Sequence, residues 1–368
     1  MALGDRRLGG EGDPINLVAQ DWREPSIVNG MSRGRTGGIR TRLGVILARG
    51  WESVKLGQLA GASMTAVGNP SIIATTATDG SDAMRFCLKP GSVSTEPAQR
   101  IAYCLATGIE TVQEGAGLVP GFSESRQFDL KALRVYVRQY VDAGVTVEMI
   151  GLGQITPEVV LGQPEGKADF DRACRDIEAL AEVGVHLASP PLPIDNQPTE
   201  AANEEQLKRV ADYYNRLCAV AEAAGVRLVT HSPWPPTRRG WLWGAARFAR
   251  LFELVPSPAN AYLYDNAIHH MLGDDPAEAA RRFADRIAFV HIRDVRKSAG
   301  EGAAGTGFDE VFPGTGELDF QKVLGALKSV GYAGALCPEH FPPLPGDTRD
   351  FAATTYAVGY LRGVLSTL

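Results

Sequence analysis

"RIAFVHIRDV", residues 286–295, contains an apolar run at 287–290 that ends in His291. A short apolar run of this kind, bounded by charged residues, is typical of a buried β-strand. Histidine is the side chain best suited to bind a metal or to transfer a proton at neutral pH. Whether His291 has such a role depends on whether the other predicted strands end in a similar way.

Short apolar runs alternate with amphipathic segments of helical period from residue 84 onward. The predicted strands are 84–88, 109–113, 145–150, 185–189, 226–231, 261–265, 287–291 and 334–339, with helices between them such as 128–144 and 204–225. Eight strand–helix units predict an α/β fold, a (β/α)8 TIM barrel, whose catalytic groups lie at the carboxyl ends of the strands. An open doubly wound sheet is the alternative, but no G-x-G-x-x-G follows the first strand.

The first part of the chain differs from the rest. Residues 1–83 are rich in Gly, Arg, Ser and Thr and lack core periodicity, which predicts an irregular N-terminal extension before a barrel at 84–368. Within it, residues 49–77 faintly resemble a twin-arginine export leader, although Gly50 stands where the second arginine belongs. We expect a cytoplasmic protein, with export through this leader as the alternative.

Composition restricts the partners. The formal charge is −6 and the basic residues are scattered, so no electrostatic footprint for nucleic acid is present. No run of about 18 apolar residues predicts a membrane span. The five cysteines have no framework spacing and are predicted to be reduced core thiols. These features favour a small-molecule partner, and a homo-oligomer is possible.

The last four predicted strands each end in a potential metal ligand. The ligands are His231, Asp265, His291 and Glu339. Each residue alone is more often a structural hydrogen-bonding group or a helix cap, but four at the same point of successive units are expected to converge. Two imidazoles and two carboxylates suit Mn²⁺, Co²⁺, Zn²⁺ or Fe²⁺.

Other polar and aromatic residues follow the same strands. Arg293 should point to the same side as His291, either to bind a substrate carboxylate or to form an ion pair with a neighbouring acid. His269 and His270 follow Asp265, and at least one of them is expected to be a solvated loop residue. Three tryptophans after the fifth strand are expected either to line a sugar pocket or to anchor a long loop; they are Trp234, Trp241 and Trp243.

These motifs resemble the mannonate dehydratase family within the xylose-isomerase-like barrels. The resemblance covers roughly 84–345 and rests on "VRLVTHSPWPP", "VHIRD", "FDEVFPGTGELDF" and "LCPEHF". It implies that the family's metal ligands fall on the four strand-end residues and its acid/base histidine on His340. The family's cysteine ligand falls at Asp265, its aspartate ligand at Glu339, and a glycine at Phe341. Carboxylate in place of thiolate hardens the site, which favours Mn²⁺, with Mg²⁺ also possible.

The implied activity is the dehydration of a sugar acid, from D-mannonate to 2-keto-3-deoxygluconate and water. In that reaction His340 transfers a proton and Arg293 holds the carboxylate. One alternative is a metal-dependent sugar isomerase or epimerase of the same superfamily, which typically uses two opposed glutamates. The fifth strand ends in His231 rather than Glu, so Glu114 or Glu148 would have to substitute. Another alternative is a catalytically silent sugar-binding barrel. A nuclease would need more ligands and a basic groove.

Overall fold

The computed structural model describes residues 83–153, 157–160, 162–192, 199–232 and 243–368. The predicted N-terminal extension, except Ala83, and the leader-like segment within it lie outside the described residues, as do Trp234 and Trp241. The domain boundary at 83/84 therefore stays a prediction.

Eight parallel strands close into a barrel in the order β1-β10-β7-β6-β5-β4-β3-β2. The closure confirms the predicted TIM barrel and excludes the open doubly wound sheet, because β1 pairs with the last strand. Every predicted strand is found, and no end differs from the prediction by more than two residues. The barrel strands are β1 Arg85–Leu88, β2 Thr111–Glu114, β3 Thr146–Gly151, β4 Leu187–Ser189, β5 Arg227–Thr230, β6 Asn260–Asp265, β7 Ile287–Ile292 and β10 Ala335–Pro338.

Helices connect the strands and cover the outside of the barrel. In the described part of the chain they are α1 Pro97–Thr107, α2 Phe122–Ser125, α3 Leu130–Asp142, α4 Pro157–Val160, α5 Lys167–Glu182, α6 Glu200–Ala224, α7 Ala245–Leu254, α8 Asn266–Met271, α9 Pro276–Arg282, α10 Phe320–Ser329 and α11 Phe351–Leu365, with short 3₁₀ turns at Ala116–Leu118, Pro164–Gly166 and Ala303–Gly305. Helix α6 ends at Gly225, whose φ of 70° is the left-handed conformation that glycine adopts without steric cost.

Alternation along the strands fills the barrel with apolar side chains and places polar ones at its carboxyl-terminal end. The inward residues form a small cluster of their own: Cys87, Met149, Val229, Ala261, Leu263, Phe289, Ala335 and Cys337. Successive side chains of a strand point to opposite faces, so a residue two positions further on continues an inward row. Asp265 lies two residues after Leu263, His291 two after Phe289 and Glu339 two after Cys337. The predicted ligands therefore stand on top of the barrel core.

An antiparallel hairpin that the sequence analysis did not predict follows β7. It consists of β8 Asp294–Lys297 and β9 Phe308–Val311, with Asp294 opposite Val311. The buried carboxylate of Asp294 accepts hydrogen bonds from the backbone N–H groups of Gly314, Gly316 and Leu318, at 2.8–3.2 Å. This anchor fixes the turn after β9 against the barrel.

Candidate metal centre

The four strand-end residues come together at the carboxyl-terminal end of the barrel. One nitrogen or oxygen atom from each of His231, Asp265, His291 and Glu339 lies within 4.8 Å of those of the other three. Register explains part of this arrangement, since Asp265 on β6 lies directly opposite His291 on β7. Neighbouring strands are about 4.8 Å apart, which is close enough for two side chains to share one ion.

The chemistry of these atoms fits a divalent cation. His231 Nε2, Asp265 Oδ2 and His291 Nδ1 are buried and make no well-directed hydrogen bond. His231 Nε2 lies 3.6 Å from Asp265 Oδ2, and His291 Nδ1 lies 3.1 Å from Glu339 Oε1. Buried polar atoms without hydrogen bonds are rare, and each costs free energy. A cation among them would satisfy all of them at once, as two imidazoles and two carboxylates do for Mn²⁺, Fe²⁺, Co²⁺ or Zn²⁺.

The surroundings favour the protonation states that a metal ligand needs. Burial raises the pKa of Asp265, but the Arg293 guanidinium and His231 outweigh it and hold the pKa below its ordinary value. Burial likewise opposes ionisation of Glu339, and His291 and His340 outweigh it, so its pKa is well below the usual range. Burial lowers the pKa of His291, although Glu339 partly offsets this. These directions favour ionised carboxylates, and burial favours a neutral His291; both are the forms that bind a metal.

Gln113 fixes the orientation of His291. Its Oε1 lies 2.9 Å from His291 Nε2 and accepts the hydrogen bond from that nitrogen. The proton on Nε2 leaves the Nδ1 lone pair facing the cluster. Gln113 stands at a register shift between β2 and β3, which locally re-aims the strand. The sequence analysis did not single out Gln113.

Arg293 is buried among the acids, with 1% of its surface exposed. Nη2 lies 2.9 Å from Asp265 Oδ2, Nε donates to Asp265 Oδ1 at 3.2 Å, and Nη1 donates to Glu310 Oε1 at 2.9 Å. Of the two expectations for Arg293, this geometry matches the ion pair with neighbouring acids. The same Asp265 Oδ1 accepts from the N–H groups of Ala267 and Ile268, which directs Oδ2 to the cluster.

His340 lies between two carboxylates at the edge of the cluster. Its Nε2 is 3.2 Å from Glu339 Oε1 and its Nδ1 is 3.1 Å from Glu310 Oε1. Burial lowers the pKa of His340, but these two carboxylates raise it more, to about 9. The backbone of His340 has φ of 55°, an uncommon conformation for a residue with a side chain. Glu310, on the hairpin, was missed as a site residue; its motif "FDEVF" was the available signal.

The remaining polar candidates have structural partners. His269 is fully buried and bonds the Tyr262 hydroxyl at 2.7 Å and Asp274 Oδ2 at 2.9 Å. The expectation of a loop residue is wrong, because both histidines lie in α8; His270 is the more exposed of the pair and contacts Glu317 at 3.0 Å. Trp243 is buried against Phe248, so it anchors the chain after the loop rather than lining a sugar pocket.

The two glutamates considered as isomerase bases lie elsewhere. Glu114 points away from the barrel interior and pairs with Arg100 of α1 at 3.1 Å. Glu148 pairs at 3.0 Å with Arg85, the first residue of β1 and hence at the opposite end of the barrel from the cluster. Neither contributes an atom to the four-residue cluster.

The sequence model of the xylose isomerase-like TIM barrel family matches residues 101–355, more than half of the chain. The chain belongs to this family. An inosose dehydratase of Clostridium perfringens is 26% identical over 148 residues, which is 37% of this chain and 48% of that protein. Mannonate dehydratase 1 of Halalkalibacterium halodurans is 29% identical over 142 residues, which is 35% of this chain and 36% of that protein. The chain thus spans about half or less of the length of these relatives.

Solved structures of low sequence identity share the fold. A mannonate dehydratase of Streptococcus suis superposes with a TM-score of 0.59 and 18% identity, over 76% of this chain and 93% of the other. An L-ribulose 3-epimerase superposes with a TM-score of 0.59 and 21% identity, over 77% and 95%. Dehydratases and epimerases therefore share this barrel, and the fold by itself does not separate the two reactions. Within the described residues, no helix is long and apolar enough to cross a membrane.

Proposed function

We propose that the protein is a metal-dependent sugar-acid dehydratase, similar to mannonate dehydratase, that converts D-mannonate to 2-keto-3-deoxygluconate and water. The metal ligands are His231, Asp265, His291 and Glu339, and Mn²⁺ is the favoured ion. Mg²⁺, Co²⁺, Fe²⁺ and Zn²⁺ also suit donors of this kind. The proton-transferring residue is His340.

The observation that carries the proposal is the position of His340 between Glu339 and Glu310. A carboxylate behind one ring nitrogen of a histidine fixes the ring orientation, and the other nitrogen can then transfer a proton. Here Glu310 holds Nδ1, and Nε2 faces the cluster, 3.2 Å from Glu339 Oε1. His340 is thus directed at the space where a substrate bound to the cluster would lie.

Dehydration removes the hydrogen at C2, next to the carboxylate, while the C3 hydroxyl leaves as water. A bound divalent ion would supply electrostatic stabilisation of the negative charge that develops on the substrate. His340 transfers a proton at Nε2, and Glu310 is a positioning residue for it. Arg293 acts through Asp265 and Glu310, because its guanidinium is fully buried and pairs with both.

A sugar isomerase or epimerase is the second candidate, favoured by the epimerases with the same fold. That reaction typically uses two opposed glutamates as acid and base. Glu339 is available as one of them. Glu114 and Glu148, considered for the other, are occupied by Arg100 and Arg85, and this supports the dehydratase over the epimerase.

The test is product formation by wild type and His340→Ala at matched Mn²⁺ occupancy. Wild type should form a 2-keto-3-deoxy acid from D-mannonate, detected by mass spectrometry. His340→Ala should keep its metal and lower kcat by roughly 10²-fold or more, because a general acid or base is lost. His270→Ala, which removes a histidine outside the cluster, is the matched control and should retain turnover.

The competing outcomes are distinct. Conversion of one ketose into another without any keto-deoxy acid would support the epimerase. Sugar binding without turnover of acids or ketoses would support a silent binding barrel. A fall in melting temperature of His340→Ala with kcat unchanged would make His340 a structural residue.

A further inference from the structure

Lys89 follows β1 and belongs to the same end of the barrel as the candidate metal centre. β1 pairs with β10 in a register that sets Phe86 opposite Leu336. Continued by three residues, this register brings Lys89 opposite Glu339. Alternation along β1 continues the inward row from Cys87 to Lys89. Lys89 therefore directly follows β1 at the end of the barrel where Glu339 directly follows β10.

The ammonium group of Lys89 is held over this end of the barrel. Nζ lies 2.8 Å from Asp350 Oδ2 and 5.8 Å from the centre of the Phe341 ring. Phe341 is the residue after His340 and stacks on Phe312, so the aromatic wall beside Lys89 is continuous with the proton-transferring residue. The Lys89 side chain is 23% exposed, in contrast to that of Arg293, which is fully buried.

Arg293 is unsuited to hold a substrate carboxylate. Both sides of its guanidinium already engage Asp265 and Glu310, and binding a third acid would require one of these pairs to break. An ammonium group has three N–H donors, and Asp350 accounts for one of them. Lys89 can therefore bind an anion without releasing its partner.

We propose that Lys89 binds the carboxylate of the substrate and so selects a sugar acid over a neutral polyol ketone. This inference rests on the proposed function and deepens it by naming the residue that recognises the anionic end. It also separates the two kinds of dehydratase that the chain is similar to, since mannonate carries a carboxylate and an inosose does not.

The test is calorimetric titration of the Mn²⁺-loaded protein with 2-keto-3-deoxygluconate and D-gluconate as acids and with inosose as the neutral ligand. Wild type should bind the acids more tightly. Lys89→Met should weaken acid binding roughly 10- to 100-fold, the loss expected for a hydrogen bond to a charged group, and leave inosose binding unchanged. Lys89→Arg should keep most of the preference for acids.

Lys322→Met is the matched control, because Lys322 is also paired with an aspartate but lies on α10, away from the cluster. Melting temperature and metal content establish that each variant is folded and loaded. If Lys89→Met does not fold, Asp350→Asn provides a second measurement. It removes the carboxylate that offsets the charge of Lys89 and should tighten acid binding, whereas weaker binding would contradict the proposal.

Each result decides between the two proposals. Acid binding by Lys89→Met equal to that of wild type would overturn the role of Lys89, and turnover of D-mannonate by the same sample would leave the dehydratase standing. A wild-type preference for inosose over the acids would also overturn it. A preference for acids that is lost in Lys89→Met, in a protein that forms no keto-deoxy acid, would support Lys89 and refute the dehydratase.

Discussion

Two buried arginines of this barrel form ion pairs of similar geometry with different consequences. Arg100 of α1 lies 3.1 Å from Glu114 on the outer face of β2, and Arg293 lies 2.9 Å from Asp265 at the end of β6. Burial keeps the pKa of Glu114 above its ordinary value although Arg100 lowers it. The pKa of Asp265 falls below its ordinary value, because Arg293 and His231 together outweigh burial.

The difference lies in what surrounds each pair. The tyrosines of α3 surround Glu114. Arg100 Nη1 donates hydrogen bonds to the backbone carbonyls of Lys89 and Ser92, at 3.1 and 2.9 Å. Asp265 Oδ2, which pairs with Arg293, also lies 3.6 Å from His231 Nε2 and belongs to the four-residue cluster. A buried arginine–carboxylate pair is therefore structural or functional according to the other groups around its carboxylate.

The largest expected effect comes from removing a proposed ligand. His291→Ala should abolish stable Mn²⁺ binding and lower turnover of D-mannonate by roughly 10³- to 10⁴-fold, since the ion supplies several kcal/mol of charge stabilisation. Metal content after dialysis, measured by plasma emission spectrometry, checks this. His269→Ala, which removes a buried histidine outside the cluster, should lose stability and keep its metal. Full metal content in His291→Ala would remove His291 from the ligand set.

Breaking the outer pair should cost stability and spare the metal. Arg100→Met leaves Glu114 buried without its partner, which destabilises a protein by roughly 3–5 kcal/mol. Chemical denaturation measures this free energy of unfolding. The folded fraction should bind Mn²⁺ with wild-type stoichiometry, and loss of metal from folded protein would show that the two arginine networks are coupled.

At the metal centre, Gln113 is expected to affect Mn²⁺ affinity because it orients His291. Gln113→Leu removes the hydrogen bond that sets the tautomer of His291, and we expect Mn²⁺ affinity to fall roughly 10- to 100-fold, as for other groups that orient a ligand. Competition with a chelating dye measures the affinity. Gln139→Leu, an exposed change on α3, should have no effect. Equal affinities for the two variants would show that His291 needs no such support.

The smallest effect is expected when both members of the outer pair are replaced. Arg100→Met with Glu114→Leu leaves no unpaired charge, so it should recover most of the stability lost in Arg100→Met and lie within about 2 kcal/mol of wild type. The carbonyls of Lys89 and Ser92 lose their donor, which accounts for the remainder. A double variant no more stable than Arg100→Met would mean that these carbonyl contacts, rather than the ion pair, carry the contribution.

The periodicity of the amino-acid sequence predicted the parts of the site that lie at strand ends. His231, Asp265, His291 and Glu339 stand where the predicted strands end, and the structure brings their ligand atoms together. The sequence did not indicate Gln113, whose hydrogen bond to His291 spans 178 positions and depends on a local register shift. It also left two interpretations of Arg293 open, because residue spacing predicts the side of the strand on which a side chain lies but not the group that it binds.

The sequence by itself determined the barrel and the convergence of four potential ligands. The spacing of apolar residues sets the strands, and parallel strands all end at the carboxyl-terminal rim of the barrel. Tertiary structure alone decided how the charges are distributed around that rim. The hairpin brings Glu310 to Arg293 and His340, Arg100 of α1 pairs with Glu114, and Asp350 holds the ammonium group of Lys89. These contacts join residues of different secondary-structure elements, and side-chain direction and desolvation fix them only once the barrel has closed.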